Sequence, residues 1–151
     1  MTLSPLIRFG TSTWTYEGWK GQIYTRAYTK TGFTRECLGE FCQYLYKGEP
    51  LFRTVGNDAT FYRPPTVNQL TRYLTQIPED FEMCAKVWEE IPIPAYATHA
   101  RYGIKAGQRN PNFLNADAFI KLVGVMRSPE PSSMVIKICS RSEYAPYSVG
   151  R

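Results

Sequence analysis

Phe52-Arg53-Thr54-Val55-Gly56-Asn57-Asp58-Ala59-Thr60-Phe61-Tyr62-Arg63-Pro64 decides the fold. A short apolar run, Leu51 to Val55, reads as a buried strand, and it ends in polar and aromatic residues before Pro64-Pro65 breaks the chain. Two other runs end the same way. Leu6 to Gly10 leads into Thr11-Ser12-Thr13-Trp14-Thr15-Tyr16-Glu17-Gly18-Trp19, and Phe81 to Ala85 leads into Lys86-Val87-Trp88. Parallel α/β sheets build their sites at the carboxyl ends of strands, so these clusters mark where a site belongs.

Helical patterns separate the strands. Thr34 is a fitting cap for a helix with Leu38, Phe41, Cys42 and Leu45 on one face, ended by Gly48 and Pro50. Thr66 caps a second helix carrying Val67, Leu70, Leu74 and Ile77. Asn115 caps a third through Ala118, Phe119, Leu122 and Val123. Gly18 to Gly32 reads as a loop. Glu89 to Phe113, with three prolines and two glycines and no apolar period, reads as a long loop of the lid or disordered type. The alternation of strand and helix predicts a parallel sheet with helical crossovers. Beyond Val123 the character changes. Ser128 to Ser133 is linker-like, Met134 to Cys139 has the composition of a fourth strand, and Ser140 to Arg151 is polar and turn-rich.

At 151 residues the chain has room for one core and not for two. A net charge of +5 favours polyanion partners, but the 18 Lys and Arg form no run, which reads as solvated surface rather than a nucleic-acid stripe. The four cysteines, Cys37, Cys42, Cys84 and Cys139, include no C-x-x-C pair, and His99 is the sole histidine, so no zinc or iron–sulfur ligand set emerges. The cofactor is left unassigned. No apolar run approaches the ~18 residues that a membrane span needs. The chain opens without a charged-then-apolar leader, so a cytoplasmic protein with reduced, mostly buried thiols is expected.

Together these segments resemble the DUF72 family, also called the YecE-like family. The residues that carry the likeness are Phe9-Gly10-Thr11-Ser12-Thr13-Trp14-Thr15-Tyr16 with Trp19, Gly21 and Tyr24; Val55 with Thr60-Phe61-Tyr62 and Pro64; Pro78-Glu79-Asp80-Phe81 with Lys86; and Thr98-His99. The likeness runs from about Leu6 to Val123. It implies a fold of the TIM-barrel kind, here only the first three or four βα units, with 1–123 a half-barrel and 124–151 a divergent tail, frameshifted or disordered. The family has no agreed biochemical activity. Its usual glutamate after the valine equivalent to Val55 is replaced here by Gly56, and Asn57-Asp58 stands where an asparagine would follow, so Asp58 is the nearest acid.

The residues allow three functions. One is a barrel-mouth site for an anionic or phosphorylated small molecule, hydrolytic in one version, with Lys86, His99 and Asp58 as the chemical groups. Trp14, Tyr16, Trp19, Asn57, Thr60, Tyr62 and Arg63 would bind the substrate. The ordinary alternatives are a loop packed over the sheet for the aromatics, a turn for Asn57-Asp58, and an exposed loop residue for His99. Lys86 is expected to face the inside of the barrel, with Glu89 and Glu90 as ion-pair partners. The second function is a non-catalytic nucleic-acid-binding module that stacks bases on Trp14 or Trp19. The third is a truncated product without independent function, prone to self-association through the exposed half-barrel surface.

Overall fold

A computed structural model describes residues 7–127 and 136–139. The chain is a mixed α/β protein. Strand β1 is Gly10–Thr11 and is followed by a 3-10 turn at Glu17–Trp19 and helix α1, Lys30–Cys42. Strands β2, Leu45–Tyr46, and β3, Glu49–Pro50, form an antiparallel hairpin. Then come β4, Thr54–Asn57; the short helix α2, Ala59–Tyr62; α3, Val67–Leu74; and β5, Glu82–Lys86. A 3-10 segment, Ala100–Lys105, precedes α4, Ala116–Arg127, and β6, Ile136–Cys139, closes the described chain.

The main sheet has four strands in the order β1-β4-β5-β6, and every pairing is parallel. Spatial order therefore follows chain order, without the reversal of a doubly wound sheet. The side chains explain how the layers form. Along β4 and β5, Val55, Asn57, Met83 and Ala85 are buried, while Thr54, Gly56, Glu82, Cys84 and Lys86 are half-buried. Val55, Met83 and Ala85 join one cluster with Phe33, Leu38 and Phe41 of α1, Leu70 and Tyr73 of α3, and Leu122 and Met126 of α4. The helices thus lie on one face, and among the described residues no helix covers the other.

Several boundaries differ from the sequence reading, for identifiable reasons. Helix α1 starts five residues early because Thr29, not Thr34, is its cap; the Thr29 hydroxyl accepts the N–H of Gly32 at 2.9 Å. Leu45 is not on that helix. It lies in the hairpin, where Lys47 and Gly48 both have positive φ, 53° and 84°, the pattern of a type I′ turn. Strand β4 lies further along than the apolar run suggested, since Phe52 leaves the sheet to stack on Phe41 at 4.2 Å between ring centres. The Thr66 and Asn115 caps stand as read: Thr66 forms a full capping box with Gln69, and Asn115 Oδ1 accepts the N–H of Ala118 at 2.9 Å. Helix α4 continues past Val123 to Arg127 and turns Leu122 and Met126 inward rather than Phe119. Strand β6 falls within the expected Met134–Cys139 segment. The segments 128–135 and 140–151, read as linker and polar tail, lie outside the described residues.

The loop between Glu89 and Phe113 is built around Asn110. Its amide donates to the carbonyls of Glu90 and Ile93, at 2.9 and 2.8 Å, and its Oδ1 accepts from Tyr96 Oη at 3.2 Å. The Glu90 carboxylate accepts from Tyr96 Oη, from Lys105 Nζ at 3.1 Å and from Asn112 Nδ2 at 3.3 Å. Burial alone would raise the Glu90 carboxyl, but these donors outweigh it and hold it below the usual glutamate range. Ile91, Ile93 and Tyr96 are buried beneath the loop.

Candidate functional site

The carboxyl ends of β4 and β5 carry most of the predicted residues. Lys86 ends β5 on the helix-free face, beside Cys84 and opposite the buried Ala85. Its ammonium lies 2.9 Å from Asp58 Oδ1, the residue that leads from β4 into α2. Both groups are partly exposed. The expected partners of Lys86 are engaged elsewhere: Glu89 pairs with Arg101 at 2.6 Å, and Glu90 with Lys105.

Gly56, on the same face two residues before Asp58, sits close to β1. A Cβ there would come 3.2 Å from Ser12 Cα and 3.3 Å from Ser12 O. That face therefore has little room for a side chain at position 56, and Asp58 is the carboxylate beside the lysine.

Thr60 and Asn57 hold the strand ends together. The Thr60 hydroxyl bonds the carbonyls of Asn57 and Lys86 at 2.7 and 2.9 Å, which joins the start of α2 to both strands. Asn57 is not a turn residue. It is the last residue of β4, and its side chain is buried on the helix side, with Nδ2 4.0 Å from the Met83 sulfur. A second link runs from the N–H of Glu89 to the carbonyl of Phe61 at 2.7 Å.

Beyond this link lies an open groove of about 400 Å³, lined by Phe61, Tyr62, Ala97, His99, Arg101 and Tyr102. The guanidinium of Arg101 sits over both the Tyr62 and Tyr102 rings, at 5.0 and 4.4 Å, while it also pairs with Glu89. His99 is exposed and starts the 3-10 segment. Its Nδ1 accepts the N–H of Arg101 at 3.1 Å, so the neutral ring carries its proton on Nε2. Arg63 is exposed at the end of α2. Arg101 and Tyr102 lie in the stretch that the sequence reads as a structureless loop. The stacking with Tyr62 joins positions 39 apart, which no local pattern announces.

The first aromatic cluster behaves differently. Trp14, expected as a pocket wall, is 4% exposed and packs edge-on against Tyr73 at 5.2 Å, inside the helix-side core. Its carbonyl accepts from the Tyr24 hydroxyl and the Cys37 thiol. Trp19 is partly buried and stacks on Phe41 at 6.2 Å. Tyr16 alone is open, at 57% exposure, with its edge against Trp19.

Among the described residues no group of three or more His, Cys, Asp or Glu is arranged to hold a metal ion, and no helix is long and apolar enough to cross a membrane. What the chain presents is a parallel α/β sheet with a lysine–carboxylate pair at its strand ends and an aromatic groove beside it. A family model described as a protein of unknown function, DUF72, matches residues 8–121, and the chain belongs to that family. No curated protein and no solved structure matches it.

Proposed function

We propose that the strand ends around Lys86 and Asp58 bind an anionic, phosphate-bearing small molecule at the mouth of a partial β/α barrel. The barrel reading rests on strand order that follows chain order with α1, α3 and α4 on one face. The anion reading rests on one observation, the 2.9 Å pair of Lys86 with Asp58. A partly exposed pair of this kind contributes about 0–1 kcal/mol. A phosphate can therefore displace Asp58 from Lys86 at small cost. The released carboxylate is then the base that a hydrolytic version requires, accepting a proton from the attacking water. The groove with Tyr62, His99 and Arg101 supplies walls for the rest of the molecule, and Arg63 is a further cation nearby in the chain.

Calorimetric titration with inorganic phosphate and with small phosphomonoesters tests this. Lys86→Ala should lower the affinity about tenfold or more while the fold, followed by circular dichroism, is kept. Asp58→Asn should raise phosphate affinity by removing the competing carboxylate, and should abolish any phosphomonoester turnover. A folded Lys86→Ala variant with unchanged affinity, or no saturable binding to the wild-type chain, refutes the reading.

A further inference from the structure

We infer that the molecule whose phosphate meets Lys86 is a free nucleoside monophosphate, with its base stacked on Tyr62 in the neighbouring groove. The inference rests on the phosphate reading above and assigns what lies beyond the phosphate. Asp58 caps α2 with helical backbone, φ −68° and ψ −22°, and Tyr62 is the last residue of that helix. Residues four apart lie on one helix face, with Cβ atoms about 5–6 Å apart. The carboxylate that holds Lys86 and the tyrosine ring therefore stand one turn apart on the same side of α2. A single ribose bridges such a gap between a 5′-phosphate and its base. The two parts are also fixed to each other. The Thr60 hydroxyl ties α2 to the carbonyl of Lys86 at 2.9 Å, and the N–H of Glu89 ties the exit of β5 to the carbonyl of Phe61 at 2.7 Å.

The groove has the surfaces that a base needs. Tyr62 is 59% exposed, yet its ring is held in place. Phe61 meets it near-perpendicular at 5.4 Å, and the Arg101 guanidinium lies over it at 5.0 Å, itself fixed by Glu89 at 2.6 Å. A ring that is already fixed loses little freedom when a ligand stacks upon it. Aromatic rings and guanidinium planes are the surfaces on which bases stack. The volume of about 400 Å³ falls in the range of roughly 300–1,000 Å³ that small-molecule sites occupy. A sugar phosphate suits the groove less well. Its hydroxyls call for acceptors, and the Glu89 carboxylate already accepts from Arg101 and from Tyr102 Oη at 3.0 Å. A free nucleotide is favoured over a strand because the 18 Lys and Arg form no run that could follow a phosphate backbone.

Calorimetric titration of the full chain compares each of the four nucleoside 5′-monophosphates with ribose 5-phosphate, which has the same phosphate and sugar and no base. At least one nucleotide should bind the wild type about tenfold more tightly than ribose 5-phosphate, as a stacked base requires. Tyr62→Ala should bring that ratio to about one and leave the ribose 5-phosphate affinity as it was. Tyr62→Phe should keep the ratio. Lys86→Ala should weaken nucleotide and ribose 5-phosphate alike. A wild-type ratio near one for all four nucleotides overturns the inference and leaves the phosphate reading standing. So does a Tyr62→Ala variant that is folded by circular dichroism and keeps the ratio. Ribose 5-phosphate affinity unmoved by Lys86→Ala overturns the phosphate reading, and the inference with it. Tighter binding of a 5′-phosphorylated pentanucleotide than of any mononucleotide overturns the assignment to a free nucleotide and points to a strand end.

Discussion

At the scale of single residues, burial sorts the thiols and hydroxyls into reactive and structural ones. Cys37 and Cys42 are buried in α1, and desolvation pushes their thiols up to about 11 and about 12. At neutral pH they are protonated and out of reach, whereas Cys84 is only half-buried. In dilute native protein, iodoacetamide followed by peptide mass spectrometry should label Cys84 well before Cys37 or Cys42; equal rates would show that the α1 face is not packed as described. Thr60 is the structural counterpart. Its hydroxyl serves two strand-end carbonyls, so Thr60→Val should lower stability by about 1–3 kcal/mol, measured by urea unfolding. The sequence disclosed that Thr60, Tyr62, Asp58 and Lys86 belong at strand ends, because an apolar run followed by polar residues is a local pattern. It did not disclose the burial of Trp14 and Asn57. Their partners, Tyr73 on α3 and Met83 on β5, are brought near only by folding.

At the scale of elements, the loop from Glu89 to Phe113 is held by a carboxylate whose donors come from residues 6, 15 and 22 positions onward. Such contacts leave no period, and so the stretch reads as structureless. The Glu90 carboxyl lies lower in the folded chain than in the unfolded one. Its contribution is therefore complete above the ordinary glutamate value and is lost as the pH falls through the folded one. The protection factors of the amides of residues 91–110, corrected for the intrinsic pH dependence of exchange, should fall on acidification below the normal glutamate range, ahead of those in α1. Glu90→Gln should remove that pH dependence; its persistence would assign the effect to another carboxyl. Helix caps were legible where the polar residue directly precedes the apolar pattern, as at Thr66 and Asn115. They were misread where two threonines compete, as at Thr29 and Thr34.

At the scale of the whole molecule, parallel pairing ties the sheet to its last described strand. Strand β6 covers the edge of β5 along Met83 to Lys86. A chain ended after Arg127 loses that cover and exposes the strand that carries Lys86. It should melt several degrees lower and aggregate more readily, as differential scanning fluorimetry and light scattering would register. An unchanged melt would mean that β6 contributes little to the sheet. The alternation of strands and helices was readable from the sequence. The sidedness of the helices was not, since it depends on which alternate residues of β4 and β5 turn toward α1, α3 and α4.

The crowding at Gly56 has a consequence for the mutational paths open to this chain. A side chain there meets the main chain of Ser12, which cannot rotate out of the way as a side chain can. Placing a glutamate at that position therefore asks the backbone near Ser12 to give by a few tenths of an ångström. With Asp58 already beside Lys86, an acid at position 56 would also add a second negative charge to a pair that is already balanced. An acid at position 56 is therefore opposed twice, by packing and by charge, and the site is held to a single carboxylate.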